Sequence, residues 1–252
     1  MRRPVIAGNW KMHKTSAEAE ELAKALVDHL TDLTDDREVV LCPPFTGLKV
    51  VFDVIKSSPI KLGAQNLHWE KSGAFTGEIS ALMLKDVGCS YVIIGHSERR
   101  TYFCETNSTV NKKIFAALDH GLIPIVCVGE TLEEREKNQT FEIIERQIKE
   151  GLVGLTHSQV LRLIIAYEPV WAIGTGKTAT PEQANEVHAF IRSLLAKNFN
   201  ETVASEIRIQ YGGSVRPDNI KSLMSQKDID GVLVGGASLD ANSFAKIVKF
   251  KE

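Results

Sequence analysis

The fold is decided by a stretch that reads Leu161-Arg-Leu-Ile-Ile-Ala-Tyr167, then Thr180-Pro-Glu-Gln183, then Ile207-Arg-Ile-Gln210. Its first and last parts are short runs rich in apolar and β-branched residues, which predict two buried strands. The middle part has the form of a capping box with proline at the first helical position, and it predicts a helix over Pro181 to Asn198. A strand, a helix and a second strand in this order predict two parallel strands joined by a crossover helix.

The same alternation extends through the rest of the chain. Capping boxes at Thr15-Ser-Ala-Glu18 and Thr131-Leu-Glu-Glu134 mark further helix starts, and an amphipathic helix is predicted over Ser16 to Leu30. The predicted strands number eight: Val5 to Asn9, Glu38 to Cys42, Ile60 to Gln65, Tyr91 to Gly95, Leu122 to Cys127, Leu161 to Tyr167, Ile207 to Gln210 and Gly231 to Val234.

Two observations favour a closed (β/α)8 barrel over an open doubly wound sheet. The strand count is eight, and residues suited to binding or catalysis follow the first, fourth, sixth, seventh and eighth strands. In an open sheet these positions would lie at opposite edges, whereas in a ring they surround one mouth. Because no linker, repeat or low-complexity tract divides the chain, we expect residues 1–252 to form a single barrel domain of the α/β class.

Composition excludes several classes of protein. The chain has 252 residues, of which 43% are hydrophobic and 25% charged, and 30 Lys and Arg against 32 Asp and Glu give a net charge of −2. This balance argues against disorder and against general attraction to nucleic acid or an anionic membrane. Four widely spaced cysteines without a C-x-x-C pair, no signal sequence and no long apolar run lead us to expect a soluble, cytoplasmic protein.

Two glycine motifs between the sixth and seventh strands resemble nucleotide sites but fail in context. Gly176-Lys-Thr178 would end a P-loop only if residue 171 were glycine, and that residue is Trp171. Gly174-Thr-Gly176-Lys-Thr-Ala179 matches the dinucleotide fingerprint in form, but an intervening segment separates it from its strand and no acid ends the next strand. Both nucleotide interpretations are therefore disfavoured.

Two other glycine pairs point to a phosphate. Tyr211-Gly-Gly-Ser214 and Val234-Gly-Gly-Ala-Ser238 follow the seventh and eighth strands, where barrel enzymes commonly bind phosphate groups. Glycine lets backbone N–H groups approach an anion closely. Either pair alone could be a tight turn, but the two together indicate a small phosphorylated ligand.

The candidate chemical residues lie at strand ends: Asn9-Trp-Lys11, Gly95-His-Ser-Glu-Arg-Arg100 and Tyr167-Glu-Pro169. Lys11 could stabilise an anion, Glu168 could act as a base and His96 as a hydrogen-bond donor or proton shuttle. Each could instead have a structural role, and only their joint position favours catalysis. Histidine and cysteine spacing gives no metal motif, and no G-x-S-x-G elbow is present, which leaves proton transfer next to a carbonyl.

A series of motifs in the chain resembles the triosephosphate isomerase family. The motifs occur in the family's order over nearly the whole sequence, so the resemblance is specific. They are Ala7-Gly-Asn-Trp-Lys-Met12, Gly63-Ala-Gln-Asn66, Gly73-Ala-Phe-Thr-Gly-Glu78, Val92-Ile-Ile-Gly-His-Ser-Glu-Arg-Arg100, Val126-Cys-Val-Gly-Glu-Thr131, Ala166-Tyr-Glu-Pro-Val-Trp-Ala-Ile-Gly-Thr-Gly-Lys177, Tyr211-Gly-Gly-Ser214 and Val234-Gly-Gly-Ala-Ser238.

The resemblance implies a homodimeric TIM barrel that interconverts dihydroxyacetone phosphate and D-glyceraldehyde 3-phosphate in glycolysis and gluconeogenesis, without metal or cofactor. It implies that Glu168 is the base and His96 the electrophile, and that Asn9 and Lys11 contact the substrate. Glu98 and Ser97 would support these groups without contacting the substrate themselves, with Glu98 near Lys11. The implied phosphate ligands are Gly174, Ser214, Gly235 and Gly236.

Two loops receive roles from the same resemblance. The connection from Gln65 to Glu78 is long and contains exposed aromatics, so we expect it to dock on a second subunit, with Thr76 reaching the Asn9 and Lys11 region there. A lid that closes over the ligand is expected from Pro169, Val170, Trp171, Ala172, Ile173, Gly174, Thr175, Gly176 and Lys177.

Two alternatives stay open on the sequence alone. A Schiff-base aldolase would share the phosphate loops, although the sixth strand carries no lysine. A catalytically silent phosphate-binding barrel is the second alternative, and the presence of Glu168, His96 and Lys11 argues against it. His13 and Asn107 depart from the family pattern, which has asparagine and an acid at these positions, and they leave only local loop detail in doubt.

Overall fold

The computed structural model describes residues 2–172 and 178–251, and it contains a closed barrel of eight parallel strands. Each strand pairs with its neighbours in chain order, and the eighth pairs with the first, so the predicted (β/α)8 fold is confirmed. The strands are β1 (Val5–Asn9), β2 (Glu38–Cys42), β3 (Lys61–Ala64), β4 (Tyr91–Ile94), β5 (Ile123–Val128), β6 (Ile164–Tyr167), β7 (Arg208–Tyr211) and β8 (Gly231–Val234).

The helices lie between the strands. They are α1 (Ser16–His29), α2 (Leu48–Ile55), α3 (Ala81–Asp86), α4 (Ser97–Tyr102), α5 (Asn107–Asp119), α6 (Leu132–Glu136), α7 (Thr140–Gly151), α8 (His157–Val160), α9 (Pro181–Asn198), α10 (Glu201–Glu206), α11 (Ile220–Met224) and α12 (Ala241–Val248). Short 3₁₀ turns occupy Phe45–Gly47, Val170–Ala172 and Gly236–Leu239.

Helix boundaries follow the capping chemistry. The three predicted capping boxes, at Thr15, Thr131 and Thr180, are all formed, and Pro181 stands at the first position of α9 as predicted. In each box the threonine hydroxyl accepts from an N–H of the first turn while the third residue's side chain accepts from the threonine N–H, which satisfies two otherwise unpaired donors. These capping boxes therefore identify the first residue of each of the three helices.

Strand boundaries agree less well. The sixth strand was predicted from Leu161, but β6 begins at Ile164, because α8 precedes it and Leu163 still donates a turn hydrogen bond to the Val160 carbonyl. Gly95 lies outside β4 since its φ of 75° is not a strand conformation. The apolar pattern finds the strands, but residues in tight turns can be equally apolar.

Side chains alternate between the inside and the outside of the barrel. Ile6 packs outward against the helices, whereas Val5 and Ala7 join an inner cluster with residues such as Tyr91, Ile125 and Ile164. The interior is therefore a packed core, as in other barrels of this size. Functional groups are left to the strand ends and the loops that follow them. In the described part of the chain no helix has the length and apolarity needed to cross a membrane.

Candidate active site

A pocket of about 470 Å³ opens at the carboxyl ends of the strands. The sequence-predicted site residues that line it are Asn9, Lys11, His96, Glu168, Ser214, Gly235 and Gly236. They come from β1, β4, β6, β7 and β8, and only closure of the sheet brings all five strand ends to one cavity. Gly174, the remaining predicted phosphate ligand, lies outside the described residues.

Glu168 follows β6 and is 2% exposed. Its Oε1 lies 2.9 Å from Nε2 of His96, and its Oε2 accepts a 2.9 Å hydrogen bond from the N–H of Ser97. Burial raises the pKa of Glu168, but the attraction that His96 exerts when its ring is protonated and the hydrogen bonds from His96 and the Ser97 amide outweigh burial, so the pKa lies below the ordinary value. In this arrangement the carboxylate is ionised and held by its partners. Ser97 acts through its main chain.

His96 caps the start of α4, and its two ring nitrogens have different partners. Nδ1 accepts a 3.2 Å hydrogen bond from the Glu98 N–H, while Nε2 faces Glu168. Burial lowers the pKa of His96, but the neighbouring Glu168 carboxylate outweighs burial and raises it overall. The Nδ1 bond opposes a second proton on the ring, because two hydrogens would then face each other. The geometry thus selects the neutral Nε2–H tautomer, with its donor directed into the pocket.

The main chain at Lys11 is held in an unusual conformation. Its φ is 52°, a left-handed value that costs a non-glycine residue roughly 1–2 kcal/mol. Asn9 Oδ1 accepts from the Lys11 N–H at 3.1 Å, and Gln65 Nε2 donates to the Lys11 carbonyl at 2.8 Å. The ammonium group lies 2.5 Å from Oε1 of Glu98. The surrounding bonds therefore fix where the lysine enters the pocket.

Gln65 is a site-supporting residue to which sequence reasoning assigned no role. Its amide nitrogen also donates to the Cys42 carbonyl at 2.8 Å, so it ties the ends of β1 and β2 together. The sequence feature that could have identified Gln65 is its position directly after β3, at the same end of the barrel as Lys11, His96 and Glu168.

The turn that carries His96 is clamped on both sides of Gly95. The Gly95 N–H donates to Glu105 Oε1 at 3.0 Å, and its carbonyl accepts from Arg100 Nε at 2.8 Å. Arg100 Nη1 also donates to Asn107 Oδ1 at 2.7 Å. The departure at Asn107 thus preserves an acceptor for Arg100 while removing a charge. His13 is exposed and is not among the residues that line the pocket.

The glycine pairs after β7 and β8 line the same pocket as Glu168, and a Cβ built on Gly212 would lie 2.8 Å from the Glu168 Cγ. A Cβ built on Gly236 would meet nothing within 4 Å, so the space above it is open. A Cβ on Gly235 would lie 3.5 Å from the Lys11 Cε, which places the lysine side chain beside this loop. Open backbone next to a cation suits a bound anion.

The described part of the expected lid is hydrogen-bonded to Glu130, a residue to which the sequence analysis assigned no role. Glu130 Oε1 accepts from Trp171 Nε1 at 2.9 Å and from Tyr167 Oη at 3.1 Å, and its carbonyl accepts from the Val170 N–H at 3.1 Å. Pro169 to Ala172 are thereby held against the loop after β5. The other lid predictions, Ile173, Gly174, Thr175, Gly176 and Lys177, fall outside the described residues.

The loop from Gln65 to Glu78 contains a group of three neighbouring aromatic rings. His68 lies between Trp69 and Phe75, with ring centroids 4.2 Å and 4.4 Å away. Thr76 is exposed, as is 43% of Phe75. Further large exposed apolar side chains occur after β1, in α3 and at the end of α4: Met12, Leu82, Met83, Tyr102 and Phe103.

Residues 2–172 and 178–251 contain no group of three or more His, Cys, Asp or Glu side chains placed to hold a metal ion. The Glu168 carboxylate, which lines the pocket, is instead engaged by His96 and Ser97, and the nearby Glu98 carboxylate is engaged by Lys11.

Comparison with known proteins gives a consistent family. The family model described as triosephosphate isomerase matches residues 4–251. The triosephosphate isomerase of Moorella thermoacetica is 59% identical over 252 residues, and that of Geotalea uraniireducens 58% over 252, each covering 100% of both chains. The enzyme of Dictyoglomus thermophilum is 57% identical over 249 residues, which is 99% of this chain and 100% of its own. This chain is a member of the triosephosphate isomerase family.

Proposed function

We propose that this chain interconverts dihydroxyacetone phosphate and D-glyceraldehyde 3-phosphate through an enediolate, with Glu168 as the base. The observation that carries the proposal is the 2.9 Å contact between Glu168 Oε1 and His96 Nε2 in a pocket that also holds Lys11 and the two glycine loops. An aldose–ketose isomerase must move one proton between adjacent carbons while the carbonyl oxygen gains charge. A carboxylate beside a neutral donor and a cation meets both needs.

The other residues divide the remaining work. The substrate carbonyl takes the place of Glu168 as acceptor from His96 Nε2–H, and Lys11, positioned by Asn9, stabilises the negative oxygen. The phosphate lies on the loops of Ser214, Gly235 and Gly236, together with Gly174. Ser214, Gly235 and Gly236 line the same pocket as Glu168, so a phosphate bound there holds the substrate with its reacting carbons within reach of the carboxylate.

Glu168 becomes a stronger base when the substrate arrives. Its pKa is lowered in the free site by His96 and Ser97, whereas burial acts in the opposite direction. Movement of the carboxylate away from these donors, under a lid that begins at Pro169, leaves burial as the dominant effect and raises the proton affinity. The same closure would exclude water from the enediolate and limit loss of its phosphate.

A coupled assay for dihydroxyacetone phosphate formation from D-glyceraldehyde 3-phosphate, after treatment with a chelator, tests the reaction and the absence of a metal requirement. We expect full activity after chelation. No turnover in either direction would reject the isomerase, and activity restored only by added metal would reject the metal-independent mechanism.

We expect His96 to be neutral at pH 7. The Glu168 carboxylate outweighs burial and raises the pKa of His96, but the Glu98 N–H points at Nδ1 and leaves no room for a second ring proton there. Nitrogen NMR of the labelled ring should show one protonated nitrogen, Nε2, and one bare nitrogen, Nδ1. A doubly protonated His96 at this pH would contradict the assignment.

We also propose that the protein is a homodimer in which Thr76 of one chain braces the Asn9 and Lys11 region of the other. The support is the exposed apolar set around Met12, Phe75 and Phe103, which a monomer would leave in water. We expect a dimeric mass by light scattering at micromolar concentration, and Thr76→Arg should lower both the mass and kcat. A monomeric mass for the native chain would reject this assembly.

We propose a cytoplasmic location from the state of the cysteines. Cys42, Cys89 and Cys127 are buried and unpaired, and Cys104 is exposed and unpaired. Free thiols are typical of a reducing compartment.

A further inference from the structure

An amide side chain on α7 holds the backbone of Gly129 by both of its polar groups. The Gly129 N–H donates to Gln147 Oε1 at 2.7 Å, and Gln147 Nε2 donates to the Gly129 carbonyl at 3.0 Å. One such bond would leave residue 129 free to rotate about it. Two bonds to the same planar amide fix both the position and the orientation of this residue.

Gln147 occupies a position where the helix pattern calls for an apolar residue. The buried residues of α7 are Thr140, Ile143, Ile144, Ile148 and Gly151, and residue 147 falls on the same stripe. A polar group on that face is destabilising unless it is hydrogen-bonded. Its amide meets this condition through Gly129, so the loop after β5 is what explains a glutamine at this site.

Gly129 in turn contacts the main chain of Glu168. A Cβ built on Gly129 would lie 1.7 Å from the Glu168 carbonyl oxygen, which shows how closely the two backbones approach. On either side, the Glu168 N–H donates to the Val128 carbonyl at 2.8 Å and the Val170 N–H donates to the Glu130 carbonyl at 3.1 Å. Residues 128–130 thus form a continuous support for residues 168–170.

A cavity of about 240 Å³ lies behind this support, and Gly129, Gln147, Glu168 and Val170 all border it. Neighbouring atoms therefore do not fill the space on that side. Without the two hydrogen bonds of Gln147, the loop and the Glu168 backbone would have room to shift toward the cavity.

We propose that Gln147 is a positioning residue for the base Glu168, acting through Gly129. The inference rests on the proposed role of Glu168. The chain of contacts runs from α7 to the Gly129 peptide groups and from there to the Glu168 carbonyl. Proton transfer depends steeply on the placement of the carboxylate, since a displacement of about 1 Å can cost on the order of a hundredfold in rate.

The first test compares Gln147→Leu with Asn111→Leu. Asn111 is a matched control, because its amide also makes two hydrogen bonds to backbone, both donated by Nδ2, to the Gly151 and Val153 carbonyls at 2.9 Å each, near the far end of α7. We expect Gln147→Leu to lower kcat about tenfold to a hundredfold with KM within about twofold, since the phosphate loops are not displaced. Asn111→Leu should change kcat by less than about twofold. Equal kcat values for the two folded variants would overturn the proposal.

The second test uses pH and remains informative if Gln147→Leu folds poorly. In Gln147→Glu, a protonated carboxyl can replace both bonds of the amide, whereas a carboxylate accepts from the Gly129 N–H but repels its carbonyl. The ratio of its kcat to that of the native chain should therefore rise as pH falls from about 8 to about 5. A ratio that stays flat across this range would overturn the positioning role.

Glu168→Asp separates this proposal from the one on which it rests. An unaltered kcat for Glu168→Asp rejects Glu168 as base, whatever Gln147 does. A large fall for Glu168→Asp together with native kcat for Gln147→Leu rejects only the positioning role. If both roles hold, the double variant should lose less than the product of the two separate losses, because both changes misplace the same carboxylate.

Discussion

Glu168→Asp should lower kcat about a hundredfold while KM stays close to that of the native chain. The substitution keeps the charge but withdraws the carboxylate oxygens by roughly 1 Å, and proton transfer requires the base within hydrogen-bond reach of the carbon-bound proton. The backbone of residue 168 cannot follow, because its N–H is bonded to Val128 and its carbonyl abuts Gly129. The substitution removes no group from the glycine loops proposed to bind phosphate, which preserves KM.

Steady-state kinetics in both directions measure this effect. Glu150→Asp is a suitable control, since Glu150 is exposed on α7 and is bonded to Asn107, away from the pocket. If Glu168 served only as an ion-pair partner for His96 and Lys11, the shorter carboxylate would be tolerated and the loss would appear in stability or KM. An unaltered kcat would end the assignment of Glu168 as the base.

Lys11→Met should lower kcat/KM about a thousandfold, which corresponds to about 4 kcal/mol of transition-state stabilisation. The lysine is the cation expected to offset charge on the substrate oxygen, and its side chain passes beside the Gly235 loop. Its removal also leaves Glu98 without the ammonium group now 2.5 Å away, which adds uncompensated negative charge beside an anion site. We therefore expect KM to rise as well as kcat to fall.

Lys14→Met provides the comparison for Lys11. Lys14 belongs to the same loop and also has a positive φ, of 75°, but it is not among the residues that line the pocket. Its substitution should change kcat/KM by less than about threefold, the scale expected from screened surface charge. Similar losses for both variants would show that the effect is one of loop stability or general charge, and would remove Lys11 from the proposed mechanism.

The fold was predictable because its signals are local and repeated. Strands and helices alternate with different hydrophobic periods, and threonine capping boxes such as those at Thr15 and Thr180 mark helix starts. The meeting of Asn9, Lys11, His96 and Glu168 follows from the same pattern, since parallel strands present their carboxyl ends to one side. Family membership then favours the isomerase over the aldolase and the silent barrel that the residues alone left open.

The supporting residues could not be predicted in this way. Gln65 and Gln147 act by bonding to backbone groups of other loops, and Glu130 acts by accepting a hydrogen bond from the Trp171 side chain. Such contacts leave no spacing in the sequence. Gln147 stands 18 residues from its partner Gly129, and Gln65 stands 54 from Lys11. Glutamine and glutamate are common residues, so their hydrogen-bond partners become visible only in the folded barrel. The predicted start of the sixth strand at Leu161 is also wrong, because Leu161 is apolar but lies in a turn before β6 begins at Ile164.

The pairing of β8 with β1 also bears on how the protein is made. Lys11 follows the first strand, while Gly235, beside its side chain, follows the last. During synthesis the first strand must wait with one edge unpaired until nearly the whole chain has left the ribosome, and an open edge of this kind invites aggregation. A truncated translation product that lacks β8 therefore has neither a sealed barrel nor a complete pocket. Ring closure therefore makes activity depend on synthesis of the chain through β8.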